Sequence, residues 1–306
     1  YLEGKYVYIG GKGAIYKFNS GSGEVEKIFN LEEAQAYSII KEKGLFGNYV
    51  FVSIYNQTKA PKGIIFILND ELNFLAYSDF DGSLDVVGLE FEKAKGKVYL
   101  LANGPLSNSD NQEHKKKMII NIYNPMDEFE EEDGNFYLPI SKTLSKGKDS
   151  PNSYFFGAIT KTEDGERIYY GNPIDEKIQE INADSDTFKG PDIETTNNPI
   201  SLLSIYSQAQ NLLLNLSKEN SVLEVYNLPE NGKKDLQNII SLINFNCIEP
   251  KQITKFQNEL LLTCSNNKII LIDLNNLVKE FLLDQSPEKI KVQKYEEVTQ
   301  WKKYSF

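Results

Sequence analysis

Residues 85–104 read DVVGLEFEKAKGKVYLLANG. A strand-like run (DVVGLEFE, 85–92) passes into a turn ending on Gly96, and a second apolar run, KVYLLANG, leaves it. Val, Leu, Phe and Tyr at this density suit a pleated, half-buried surface. Glycine supplies the positive φ that a tight turn needs. Some twenty residues on, IINIY ends on Asn124, and a polar stretch then leads to another short run, NFYLPI (135–140).

The same grammar recurs along the whole chain. The turn-strand element appears as Gly4-KYVYIGG, Gly47-NYVFVSIYN, Gly96-KVYLLANG, Gly165-ERIYYGNP, Gln210-NLLLNLS and Asn258-ELLLTCS, at spacings of 43, 49, 69, 45 and 48. A short strand ending in Asn or Asp follows each: AIYKF-Asn19, IIFIL-Asn69, IINIY-Asn124, KIQEI-Asn182, VLEVY-Asn227 and IILI-Asp273. Asn and Asp suit that position because their side chains bond the backbone two residues on and tolerate the left-handed region. A further strand comes after the turn: EVEKIF, LNFLAY, NFYLPI, DTFKG, LQNIISL and LVKEFLL. Another precedes five of the six elements: AYSIIKE (36–42), DVVGLEFE (85–92), YFFGAITK (154–161), ISLLSIYS (200–207) and QITKF (252–256).

Four antiparallel strands at this period are the content of a propeller blade. The expectation is one all-β domain, residues 1–306: a six-bladed β-propeller of four-stranded blades. The first unit lacks its own leading strand, so the C-terminal segment 291–306, with its strand-like VTQWKKYSF, is expected in the innermost place of blade one, where it closes the ring and removes open edges. A seventh blade would have to fit the 69-residue interval, which instead holds a polar loop (103–116) and an acidic hairpin tip (127–133). A β-sandwich would not give six units in phase.

Composition narrows the function. The chain carries 33 basic and 44 acidic residues, a net charge of −11, which argues against nucleic acid, since phosphate neutralisation needs clustered Lys and Arg. The one basic run, Lys115-Lys116-Lys117, is short. No apolar stretch of about 18 residues exists to span a membrane. The chain begins at Tyr1, consistent with removal of a preceding segment. Cys247 and Cys264 have no metal-site spacing and are either two buried thiols or one disulfide of an oxidising compartment. Two acceptor sequons, Asn56-Gln57-Thr58 and Asn215-Leu216-Ser217, point weakly to an extracellular or otherwise extracytoplasmic location.

A single histidine, His114, lies in the polar loop. It rules out multi-histidine metal sites, and no Gly-x-Ser-x-Gly elbow accompanies it. Gly10-Gly11-Lys12-Gly13 reads as a hairpin turn, not a phosphate loop. Asp79-Phe80-Asp81-Gly82 has only half of a calcium-loop pattern.

The expected ligand face is built by the residues leading into the innermost strands: Gln35, Asp85, Asn152, Asn198 and Glu249, with Glu296 or Glu297 from the terminal segment. Ligand sites in closed β-folds lie at the mouth of such an axis. Oxygen donors of this kind also suit calcium, and the alternative metal set is Asp85, Asn152, Asn198 and Glu249. No cofactor is expected on the first reading, which is a non-enzymatic binding propeller for a small molecule or a protein partner. The alternative is a calcium-dependent ester or lactone hydrolase with a metal-bound water as nucleophile.

The segment Phe156-GAITKTEDGERIYYGNP-Ile174 resembles a blade of the six-bladed propellers related to the royal-jelly and yellow proteins, and of the SMP-30, gluconolactonase and strictosidine-synthase group. In these a Gly-apolar strand, a turn and a Tyr-Tyr strand recur. The resemblance implies small-ligand binding in the channel, or calcium-assisted ester or lactone hydrolysis.

Overall fold

The structure is a computed structural model. It describes residues 2–3, 6–55, 63–79, 87–105, 116–146, 158–172, 175–195, 199–207, 210–217, 220–229, 235–256, 259–266 and 269–274. Among the described residues the elements are strands apart from one short 3-10 turn, Leu242–Phe245, and Leu274 is helical. The chain divides into two compact units, Tyr1–Asp175 with Gln179–Pro191, and Glu176–Ile178 with Asp192–Phe306.

In the first unit, β1 (Leu2–Glu3), β2 (Tyr6–Gly10), β3 (Lys12–Asn19), β4 (Val25–Gly44), β5 (Gly47–Tyr55), β6 (Gly63–Asn69) and β7 (Phe74–Asp79) form one antiparallel run. Next come β8 (Val87–Ala94), β9 (Lys97–Pro105), β10 (Lys116–Tyr123), β11 (Glu130–Glu132), β12 (Asn135–Tyr137) and β13 (Lys142–Ser145). A sheet of β14 (Ile159–Lys161), β15 (Arg167–Asn172), β16 (Lys177–Asn182) and β17 (Thr187–Glu194) follows in chain order. The second unit contains the sheet of β18 (Pro199–Ser207), β19 (Gln210–Ser217), β20 (Val222–Asn227) and β21 (Asp235–Ser241), and the three strands β22 (Pro250–Phe256), β23 (Glu259–Cys264) and β24 (Ile269–Asp273).

Four blades are therefore complete among the described residues, not the six expected. They are the second half of β4 with β5 to β7, β8-β9-β10-β13, β14 to β17, and β18 to β21. The first unit of the repeat has β2, β3 and the first half of β4, with only the two-residue β1 on its other edge, and the last has three strands. The 20-residue β4 explains the merger of the first two repeats. Its first half pairs β3 (Ile15↔Phe29), its second half pairs β5 (Ile40↔Phe51), and no turn separates them. The closing segment 291–306 lies outside the described residues.

A second correction concerns the third repeat. NFYLPI was expected as its outer strand, but Lys142–Ser145 takes that edge against β10. Asn135–Tyr137 instead pairs with β11 and reaches β7 of the preceding blade at Tyr137↔Tyr77. Leu138 fixes this diversion. Its N–H donates to Tyr77 O (2.8 Å), its carbonyl accepts from Ser78 Oγ (2.9 Å), and its side chain is buried.

The turn chemistry follows the residues. Asn19 Oδ1 accepts from Gly21 N, Asn69 Oδ1 from Glu71 N and Asn73 N, Asn124 Oδ1 from Met126 N, and Asn182 Oδ1 from Asp184 N and Ser185 N. These are side-chain-closed turns at the same point of four repeats.

Successive blades of the first unit are joined by a repeated polar device. Lys93 Nζ donates to Lys41 O (2.9 Å), and Lys161 Nζ donates to Lys93 O (2.6 Å). Three residues before Lys41, Ser38 Oγ accepts from Phe91 N (3.1 Å); three before Lys93, a Glu90 carboxylate oxygen accepts from Ile159 N (3.2 Å). Tyr8 and Tyr99 reach across in the same sense. Tyr99 OH donates to Asp186 Oδ1 at 2.7 Å, and Lys97 Nζ pairs with Asp186 Oδ2 at 2.6 Å. Burial, then the Asp186 carboxylate, holds the Tyr99 phenol protonated by pushing its pKa up.

Apolar side chains fill the spaces between. One cluster of the first unit joins Tyr49, Phe51, Ile65, Ile67, Val98 and Leu100. In the second unit Leu214, Leu223, Val225, Ile253, Leu260 and Leu262 pack together with Cys247 and Cys264. The two cysteines form a disulfide, with Cα atoms 5.5 Å apart, which settles the alternative in favour of the bond.

Candidate functional site

Of the residues expected at the ligand face, Gln35 and Glu249 are described; Asp85, Asn152 and Asn198 lie outside the described residues, as do Glu296 and Glu297. Most of the expected ring therefore lies outside the described residues, and Gln35 and Glu249 are described each in its own unit. Also outside are His114, the calcium-like Phe80-Asp81-Gly82, most of the polar loop (106–115) and the sequon Asn56.

Glu249 belongs to the second unit and sits exposed just before β22, at a positive φ of 46°. Its own turn engages it. The carbonyl accepts from Ser265 N (3.0 Å) and Ser265 Oγ (3.1 Å), and the carboxylate accepts from the same hydroxyl at 3.3 Å. This is the bonding of a turn beside the Cys247–Cys264 disulfide. Among the described residues no group of three or more His, Cys, Asp or Glu side chains is placed to hold a metal ion.

Gln35 is exposed on β4, where its backbone faces Lys12 on one side and Tyr55 on the other. It stands where the strand passes from the first repeat to the second. Directly beyond it, Ala36, Tyr37 and Ile39 face Tyr8, Ile9 and Gly10 of β2 across a cavity of about 250 Å³. The close approach depends on Gly10. A Cβ there would lie 2.7 Å from Ala36 Cβ and 2.9 Å from Ile39 Cδ1. Tyr8 is buried and anchored through its hydroxyl to Asp70 (3.3 Å), whereas Ile9 and Tyr37 are 47% and 36% exposed. Burial pushes the Asp70 carboxyl up, but bonds from Lys41 and Asn48, with Tyr8, outweigh it and leave the pKa below its ordinary value.

The cavity is bordered by the exposed Ile9 and Tyr37 and by Ala36 and Ile39, with strand backbone contributing polar surface. At about 250 Å³ it is just below the usual range for drug-sized ligands. It accommodates a small apolar or aromatic group, including one large side chain of a partner. The sequence pointed to Gln35 but missed the cavity, because Gly10-Gly11 read only as a turn. The one available signal was the succession of two glycines after an aromatic strand.

Two further polar constellations are buried. Glu224 accepts from Asn215 Nδ2 and Tyr226 OH, each at 2.7 Å. Glu180 accepts from Tyr169 OH at 3.1 Å. Both sit inside blades, closed to a ligand, and are structural. The Asn215 amide is thus buried and bonded, unlike an available glycan acceptor.

No family model matches the chain, and no curated protein matches it. Among solved structures it is similar to a chain in a crystal structure of a nidogen/laminin complex, with a TM-score of 0.51 and 10% sequence identity, over 89% of this chain and 90% of that one. At this identity the likeness concerns the fold alone, and it establishes an all-β, propeller-like arrangement.

Proposed function

We propose that the chain is a non-enzymatic binding propeller that receives a small ligand, or an apolar side chain of a protein partner, at the start of its inner strands. The observation that carries this reading is the cavity between β2 and β4, lined by Tyr8, Ile9, Gly10, Ala36, Tyr37 and Ile39, with Gln35 the residue before Ala36 on β4. A small cavity with mixed apolar and polar lining can receive one side chain, and a single buried side chain can dominate a protein interface. The structural neighbour comes from a complex of two proteins, which is in keeping with a protein partner. On this reading Asp85, Asn152, Asn198 and Glu249 remain, with Gln35, the candidate ligand-binding residues, and binding requires no metal. The Cys247–Cys264 disulfide favours an extracytoplasmic compartment, since such bonds persist where the surroundings are oxidising.

The test pairs a binding screen with an activity screen. Immobilised protein is exposed to secreted proteins and to small aromatic compounds, and each ligand found is titrated against Tyr37→Ser and Gln35→Ala. Both residues are exposed, so the variants should fold. Affinity should fall about tenfold or more for Tyr37→Ser. Ester and lactone substrates are assayed in parallel with and without calcium. Calcium-dependent turnover that disappears in Asp85→Asn would replace the binding reading with the hydrolase.

A further inference from the structure

The opposite end of the same inner strand carries a second surface. The turn after β4 holds Leu45 and Phe46, 44% and 69% exposed, and the turn after β10 holds Met126, 47% exposed. These side chains are presented by a fixed backbone. Leu45 N donates to Pro125 O (3.0 Å) and Phe46 N donates to Tyr49 OH (3.2 Å). Phe129 stacks on Tyr49, with ring centres 5.5 Å apart, and its ring centre lies 5.7 Å from that of Phe46. Two blades thus build one apolar patch that remains in contact with water.

Immediately after Phe129 the chain forms the β11–β12 hairpin, turned by Asp133 and Gly134, both at positive φ (50° and 77°). That pair suits the tight primed turn of a hairpin. Glu128, Glu130, Glu131, Glu132 and Asp133 are all exposed here. None of the five is paired with a basic side chain among the described residues, although the first unit pairs many of its other carboxylates. Five uncompensated negative charges repel one another. They are tolerated because water screens them, and they offer a strong field beside an apolar anchor site.

We propose that Leu45, Phe46, Met126 and the β11–β12 hairpin form a docking surface for a basic polypeptide segment bearing at least one large apolar side chain. The aromatic patch would take the apolar side chain, and the carboxylates would steer and orient its Lys or Arg neighbours. A second copy of this chain is the poorer occupant, because each copy carries a net charge of −11 and the same acidic hairpin. The surface is independent of the cavity beside Gln35, so either proposal can fail alone.

The probe is a synthetic lysine-rich peptide carrying two leucines, compared with the same peptide in which serines replace the leucines. At physiological ionic strength the leucine peptide should bind about tenfold tighter. Phe46→Ser should erase that difference. The triple variant Glu130→Gln/Glu131→Gln/Glu132→Gln should weaken binding about tenfold and flatten its salt dependence. Glu24→Gln/Glu33→Gln/Glu166→Gln, which changes net charge equally at exposed positions elsewhere, should leave affinity within about twofold. Equal binding of the two peptides, no effect of Phe46→Ser, or equal losses from the two triple variants would overturn the proposal. A concentration-dependent dimer dissolved by Phe46→Ser would also overturn it, by making a second copy the occupant.

Discussion

Glu90 offers the sharpest test of how the inner strands are joined. Its carboxylate accepts from Ile159 N, bridging β8 to β14, in the same relation by which Ser38 Oγ serves Phe91 N. In the second unit Ser201 Oγ accepts from Ile253 N in the same way. A hydroxyl suffices at two of these joints, and the third holds an ionisable group. Desolvation of the carboxyl is the main influence; the Ile159 N–H opposes it and the nearby Glu92 charge adds to it. The pKa rises from 4.5 to about 8. The folded protein therefore holds this proton through a range in which the unfolded chain has lost it. The contribution to stability is fully present below about pH 4.5 and is lost as pH rises towards 8. Each pH unit in that window corresponds to about 1.4 kcal/mol. The residue as a whole is only half-buried, so solvent screening reduces the expected total to about 2 kcal/mol. Glu90→Gln keeps an acceptor for Ile159 N and removes the charge. Chemical denaturation of both proteins between pH 4 and pH 9 should give equal stability at the acid end. Above pH 8 the variant should be more stable by about 2 kcal/mol. A variant that is less stable above pH 8, or that keeps the full pH slope, would refute the reasoning.

Other consequences follow from single contacts. Tyr99→Phe removes the bond to Asp186 and should lower stability by about 1–2 kcal/mol in urea denaturation, with Lys97 still paired to the carboxylate. Cys247→Ser/Cys264→Ser opens a bond across a sequence separation of 17 and should cost roughly 3 kcal/mol by the same measurement. Gly10→Ala places a Cβ 2.7 Å from Ala36 Cβ and should cost about 1–3 kcal/mol in a thermal melt, while narrowing the cavity. Mass spectrometry of material secreted by a glycosylating host should find Asn215 unmodified, because its amide is buried against Glu224.

The strands themselves were legible because alternation and turn chemistry are local. Asn69 and Asn182 close turns with their own side chains, and Gly96 and Gly165 take positive φ where the repeat placed them. The breaks in the pattern came from longer-range contacts. Nothing in EVEKIFNLEEAQAYSIIKEKG announces that residues 25–44 continue as one strand through two repeats. NFYLPI has the alternation of an outer strand, yet Leu138 finds its burial and its backbone partner at Tyr77 and Ser78, some sixty residues earlier. The same holds for the candidate site. Gln35 was legible as a polar residue ahead of an inner strand. The cavity beside it depends on how closely Gly10 lets β2 approach Ala36 and Ile39, a tertiary fact that spacing does not encode.

The most direct measurement is a crystallographic soak of the protein with a panel of small aromatic and aliphatic fragments, with calcium present. The expected result is a fragment seated between Tyr8, Ile9, Gly10, Ala36, Tyr37 and Ile39. An empty cavity, together with a calcium ion held by Asp85 and Glu249 and calcium-dependent turnover of an ester or lactone, would contradict the binding account.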